Sequence, residues 1–238
     1  MPRFFIDFIP DGDAVLTGEN ARHIAKSLRM QPGETVILCD GQEHDYLGEI
    51  AEINGETVRV RIQEKRESSA EPRLKVTLCQ GVPKSDKMDW IVQKAVELGV
   101  WRIVPTVTAR CISRPDEKAA HKKVLRWQKI AHEAAKQSGR GIIPEVADFM
   151  TLKQTCALPG EKRVLFYEGG GERIPVLVGE QDAALTVYVG PEGGFAPEEV
   201  QLIQEAGGCA ATLGPRILRT ETAPLAALAA IMLVTNNL

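Results

Sequence analysis

The sequence predicts two folded parts in series, a small β-barrel over residues 1–70 and a parallel α/β domain over residues 73–238. Three observations carry this. Short apolar segments in the first part are separated by Asp40-Gly41 and Asn54-Gly55, pairs that favour the φ > 0 turns joining antiparallel strands. Residues 64–72, Glu-Lys-Arg-Glu-Ser-Ser-Ala-Glu-Pro, have no apolar period and read as a linker. Beyond Pro72, short apolar strands alternate with helices, the pattern of a parallel sheet.

Taken in order, residues 3–9 read as a strand, and residues 17–29 as a short helix carrying Arg22, His23, Lys26 and Arg29. Strands follow at 35–39, 46–53 and 57–63. In the second part, strands are predicted at 74–81, 102–107, 163–167, 185–189 and 210–213. Helices are predicted at 86–98, at 118–138, from about Pro197, and over 221–234. The last helix is apolar nearly all round, through Pro224, Leu225, Ala226, Leu228, Ala229, Ile231, Met232 and Leu233, so it belongs in a core or against another subunit.

The chain has 238 residues, 44% hydrophobic and 26% charged, enough for one or two globular domains. Its start has no basic segment followed by a long apolar run, so a cytoplasmic protein without a membrane anchor is expected. Five scattered cysteines make no C-x-x-C and sit near no histidine at ligand spacing, which argues against a disulfide framework or a bound metal. The net charge of −3 conceals a basic middle. Residues 1–72 carry 8 Lys/Arg against 14 Asp/Glu, residues 73–150 carry 15 against 8, and residues 151–238 carry 6 against 10. The middle excess suits either a solvated lysine-rich helix face or a phosphate-binding surface.

Three segments could carry chemistry. Val189-Gly190-Pro191-Glu192-Gly193-Gly194-Phe195 follows an apolar strand and precedes a helix, the place where parallel sheets bind ligands. Alone it reads equally as a structural turn, and it has neither the G-x-G-x-x-G spacing nor the lysine of a phosphate loop. Leu213-Gly214-Pro215-Arg216-Ile217-Leu218-Arg219-Thr220-Glu221-Thr222-Ala223 repeats the arrangement at another strand end, and two such loops together favour a shared crevice. His132-Glu133-Ala134-Ala135-Lys136-Gln137-Ser138-Gly139-Arg140 closes the helix that bears Lys118, Lys122, Lys123, Arg126 and Lys129. Its cations suit either RNA phosphates or the negative end of the helix dipole. No Ser or Cys pairs with a histidine as in a hydrolytic triad.

Together these residues resemble the SPOUT superfamily of RNA methyltransferases, and within it the bacterial family that methylates N3 of a uridine in 16S ribosomal RNA of the small subunit. The likeness rests on Pro2-Arg3-Phe4-Phe5, His23 with Arg29, Lys84-x-x-Lys87, Gln93-Lys94-x-x-Glu97-Leu98-Gly99, Glu133-x-x-x-Gln137-Ser138-x-Arg140 and the loops 189–195 and 213–223. It implies a PUA-like RNA-binding barrel, followed by a SPOUT-type α/β domain with a deep trefoil knot, a rare exception to unknotted folding. It further implies S-adenosyl-L-methionine held through Phe166, Glu168, Gly190, Glu192, Gly193, Gly194, Leu213, Gly214, Ile217 and Leu218, and a homodimer whose site is completed by the partner. Two departures stand out: Ala196 offers no capping oxygen to the helix it precedes, and Pro224 enters the first turn of the last one.

A uridine N3 carries an imide proton and becomes nucleophilic only when the proton leaves or its anion is stabilised. Arg219 is the candidate for that stabilisation. Glu221 is the nearest candidate base, or else a group that positions Arg219. Docking of ribosomal RNA would fall to Arg3, Arg22, His23, Lys26 and Arg29, and to Lys122, Lys123, Arg126 and Arg140. The competing reading is a non-enzymatic RNA-binding or ribosome-assembly protein of the same fold, which would give no heat on titration with cofactor.

Overall fold

The computed structural model describes residues 1–159 and 162–238, in two compact units. Met1–Glu71 and Ala135–Ile143 make the first; Pro72–Ala134 and Pro144–Leu238 make the second.

The first unit contains β1 (Arg3–Phe5), β2 (Asp13–Leu16), α1 (Gly18–Arg22), β3 (Thr35–Cys39), β4 (His44–Asn54) and β5 (Thr57–Glu67). Helix α1 continues as a single π turn, His23–Ser27. The sheet order is β1-β3-β4-β5-β2, antiparallel except for β1 beside β3. Only two residues join β4 to β5, and Gly55 takes φ +60°, which a side chain would resist. Alternate residues point inward, so Phe4, Leu38, Tyr46, Ile50, Val58 and Val60 form one core with Ile24 of the π turn.

Three expectations change here. The predicted strand 3–9 stops at Phe5, and Phe8 and Ile9 are exposed. The chain re-enters the sheet as β2, a strand too short to stand out as a pattern. The predicted linker begins too early, since residues 64–67 are the end of β5, paired from Leu47↔Glu64 to His44↔Glu67. Their charges face solvent, and β4 supplies the backbone partners that hold them extended.

The second unit runs β6 (Lys75–Gly81), α2 (Lys87–Glu97), β7 (Arg102–Val107), α3 (Glu117–Ser138), β8 (Glu145–Val146), β9 (Met150–Thr151), α4 (Leu152–Cys156), β10 (Lys162–Phe166), β11 (Glu172–Arg173), α5 (Ile174–Leu177), β12 (Ala184–Val189), α6 (Pro197–Glu205), β13 (Gly208–Thr212) and α7 (Ala223–Val234). The last residues of α3 fall in the first unit. The strand order is β11-β13-β10-β12-β6-β7-β8, with β9 also on β7, and every pair is parallel. Central strands buried on both faces read as continuous apolar runs, which is why they were legible: Leu185, Val187, Tyr188 and Val189 are all buried.

Two local features answer the departures noted in the sequence. Helix α6 closes its first turn without a capping oxygen, for the Glu199 N–H donates to the Ala196 backbone carbonyl at 3.0 Å, while the Glu199 carboxylate accepts from the Ala196 N–H (2.9 Å) and from the Ala109 N–H (2.7 Å). Pro224 sits in the first turn of α7, where its missing N–H had no helical acceptor. Helix α7 buries Pro224, Ala227, Leu228, Ile231 and Met232. Its other face is also apolar, yet Leu233 is 65% exposed. Among the described residues no helix is long and apolar enough to cross a membrane.

Candidate active site

Strands β10, β12 and β13 lie side by side in the order β13-β10-β12, and their carboxyl ends feed loops into one cavity of about 940 Å³. Pockets of this size accept a cofactor-sized ligand. Its walls include Phe166, Glu168, Gly190, Glu192, Gly193, Gly194, Leu213, Gly214, Ile217, Leu218 and Arg219. Every residue that the resemblance gives to the cofactor therefore lines one space, with Arg219. Glu221 is not a wall residue, but it pairs with Lys87, which is.

The loop after β12 is tightly folded. Gly194 has φ +66°, and a Cβ there would come within 2.7 Å of the Glu168 carboxylate. The Gly193 carbonyl accepts from the Arg110 guanidinium at 2.7 Å. Beneath it, fully buried Gln80 places its amide NH₂ 3.3 Å from the Gly190 carbonyl and 3.2 Å from the Thr220 hydroxyl oxygen, and that hydroxyl donates to Gly190 at 2.8 Å. The two ligand loops are thus tied together from below. Glycine backbone facing the space, with the exposed Glu168 and the partly exposed carboxylate of Glu192 at its edge, fits a cationic cofactor approached largely through main-chain groups.

At the mouth, the Lys87 ammonium lies 3.0 Å from Glu192 Oε1 and 3.0 Å from Glu221 Oε2. Donating to the carboxylates of Glu192 and then Glu221 raises the Lys87 pKa above its ordinary value. For Glu221, burial works upward but is outweighed by its own backbone N–H, by Lys87 and by the charge of Arg219, and the net direction is down. Glu192 behaves alike, with burial outweighed by its own N–H, Lys87 and the Lys84 N–H. Both carboxylates are therefore held ionised, and a carboxylate held below its usual range is a weaker proton acceptor.

Gln80, Lys87, Arg110 and Thr220 are the site-building residues that sequence reasoning missed. The pair Lys84-x-x-Lys87 was visible as a motif, but nothing local showed that the second lysine reaches two later loops.

The residues expected to dock RNA divide into two groups. Arg22, Lys26 and Arg29 are exposed on α1, its π turn and the residues after it, while half-buried His23 packs edge-on to Phe4 at 6.0 Å. On α3, Lys122 is exposed, Lys123 lies over the Trp127 ring at 5.8 Å, and Arg126 pairs with Asp89 while its side chain stays 62% exposed. Arg140 is a correction. Its side chain is 3% exposed, it donates to Glu71 from Nε (2.9 Å) and Nη2 (2.7 Å), and nothing of it is presented to a phosphate. Arg3 is similarly engaged, donating to both oxygens of buried Asp45 (2.5 and 2.7 Å) and to the Arg140 carbonyl at 3.2 Å. An arginine at a helix end looks the same in sequence whether it faces a phosphate or a buried glutamate.

Comparison with known proteins agrees with this geometry. A family profile described as an RNA methyltransferase domain matches residues 70–232, and one described as an RNA methyltransferase PUA domain matches residues 16–63. The chain is 37% identical over 232 residues to the ribosomal RNA small subunit methyltransferase E of Bacillus subtilis, covering 94% of this chain and 91% of that one. It is 32% identical over 242 residues to the protein of the same name from Mycobacterium tuberculosis, covering 98% and 92%. The crystal structure of a ribosomal RNA small subunit methyltransferase E from Neisseria gonorrhoeae bound to S-adenosyl methionine matches with a TM-score of 0.88 at 33% identity, over 98% of this chain and 97% of that one. A Legionella pneumophila protein in complex with the cofactor SAM matches at 0.84 and 31% identity, over 97% and 96%. With a PUA-like β half-barrel followed by a parallel α/β SPOUT domain, the chain belongs to the ribosomal RNA small subunit methyltransferase E family.

Proposed function

We propose that this protein transfers a methyl group from S-adenosyl-L-methionine to N3 of one uridine in 16S ribosomal RNA, with RNA in the small subunit as its partner and the cytoplasm as its place of action. The observation that carries the reading is the glycine-walled cavity at the carboxyl ends of β10, β12 and β13, with Arg219 in its wall, in a chain of this family. When bound, the cofactor supplies a methyl carbon on a sulfonium leaving group. Phe166, Glu168, Gly190, Glu192, Gly193, Gly194, Leu213, Gly214, Ile217 and Leu218 would hold it.

The chain's own task is to make N3 nucleophilic. Its imide proton must be lost and the charge left on the ring stabilised until the N–C bond forms. The exposed guanidinium of Arg219 can donate to the uracil oxygens, and the N-terminus of α7, whose Ala223 lines the cavity, adds a positive dipole end. Glu221, committed to Lys87, is read as a group that positions this loop, leaving the proton to solvent. Residues 1–70 are assigned to RNA docking through Arg22, Lys26 and Arg29, with Lys122, Lys123 and Arg126 of the second domain, residues 73–238. The open apolar face of α7 and Ile217, 87% exposed in a cavity-lining loop, support a homodimer whose partner covers them. The deep trefoil knot implied by the resemblance belongs to the same reading.

The test is nucleoside mass spectrometry of small-subunit RNA from cells lacking the protein, before and after incubation of their subunits with purified protein and S-adenosylmethionine. N3-methyluridine should be absent and then return. Its presence in the deletion strain, or its failure to return when the cofactor demonstrably binds, would contradict the assignment.

A further inference from the structure

Lys87 is the first residue of α2, where a cation opposes the positive end of the helix dipole. The helix itself gives no reason for it, and the Asp86 side chain makes no capping hydrogen bond there. The loop that presents it is unusual too, since Ser85, a non-glycine residue, takes φ +56°. What the position provides is reach. The Lys87 ammonium lies 3.0 Å from a carboxylate oxygen of each ligand loop, Glu192 after β12 and Glu221 after β13. The backbone of the same loop adds a second hold, for the Lys84 N–H donates to Glu192 Oε1 at 3.2 Å.

We infer that Lys87 is a positioning residue for methyl transfer, a single cation that locks the loops after β6, β12 and β13 at the spacing the cofactor needs. Two oxygens that each lie 3.0 Å from one nitrogen can be no more than about 6 Å apart, well inside the distance of about 10 Å over which salt screens exposed charges. Without the ammonium between them the carboxylates repel, and the loops that carry them are driven apart. The Gln80–Gly190–Thr220 hydrogen bonds tie the same loops from below, so Lys87 sets the mouth rather than the floor. Arginine would preserve the charge; methionine would preserve only the length.

The inference rests on the cavity being the S-adenosylmethionine site, so the experiment reads binding before turnover. S-adenosylmethionine is titrated calorimetrically into the full chain and into Lys87→Met, Lys87→Arg and the double variant Lys87→Met with Glu221→Gln, each with its melting curve. Lys87→Met should weaken binding about tenfold or more, Lys87→Arg should stay within about threefold of the parent, and the double variant should recover most of the loss because one carboxylate then has no opponent. The same order should appear in KM for the cofactor, with kcat changing less. If the parent binds no cofactor, the functional reading fails and this inference with it. If the parent binds and Lys87→Met binds equally well or more tightly, or if removing Glu221 recovers nothing, the inference fails alone. Should Lys87→Met not fold, the neutral Lys87→Gln takes its place, alone and with Glu221→Gln, and the same order is expected: Lys87→Gln binds more weakly than Lys87→Arg, and the added Glu221→Gln recovers most of the loss.

Discussion

The two compact units use their charges in opposite ways. In the first, two of the arginines expected to dock RNA are turned inward, Arg3 onto Asp45 and Arg140 onto Glu71, each pair nearly closed to solvent. In the second, the charges that matter sit at an open mouth, with Lys87 between two partly exposed glutamates and Arg219 exposed in the cavity wall. Both units leave apolar side chains uncovered, Ile9 among them in the first, but in the second they are a helix face and Ile217, which lies in a loop that lines the cavity. Burial, and not residue type, separates a cation that holds a fold from one that can meet a ligand.

The largest expected effect tests that division in the first unit. Arg140→Ala leaves Glu71 buried with its charge, the Gly141 and Ile142 N–H groups still donating to it but its arginine gone, which should destabilise the protein by about 3–5 kcal/mol in denaturant unfolding. Replacing the pair together, Arg140→Met with Glu71→Leu, should return most of it. A near-neutral Arg140→Ala with weakened RNA binding would put Arg140 back on the RNA surface and break the comparison. Next comes the open face of the second unit. Leu233→Glu should weaken self-association about tenfold or more in sedimentation while leaving the monomer folded. An unchanged sedimentation profile would mean that α7 is not what a second copy covers. The smallest effect belongs to an exposed cation of the first unit: Arg22→Ala should leave stability within about 0.5 kcal/mol and lower the salt dependence of RNA binding by about one unit of slope. No change in slope would remove it from the docking surface.

How far the fold was legible follows from what each strand faces. The central parallel strands are buried on both sides and announce themselves as apolar runs, as β12 does, whereas β2 is four residues long and the end of β5 carries only solvent-facing charges. The loops after β12 and β13 were legible only as a pair, since either alone could be a structural turn, and the loop after β10 came from the resemblance; the structure brings all three to one cavity. Lys87, Gln80 and Arg110 were not, because each acts on a loop far along the chain: Gln80 meets Gly190 and Thr220, residues whose proximity only the strand order creates. Arg140 shows the reverse error, a motif read as a binding group whose partner, Glu71, lay in what looked like a featureless linker.

Arg219→Ala is the measurement that bears most directly on the proposed chemistry, with S-adenosylmethionine binding and N3-methyluridine formation read on the same preparation. Arg219 lines the cavity but is assigned to charge on the uracil, so affinity for the cofactor should change by no more than about threefold while turnover falls by a factor of about 100 or more. A variant that still methylates at the parental rate, or one that loses turnover only because it no longer binds cofactor, would contradict the account.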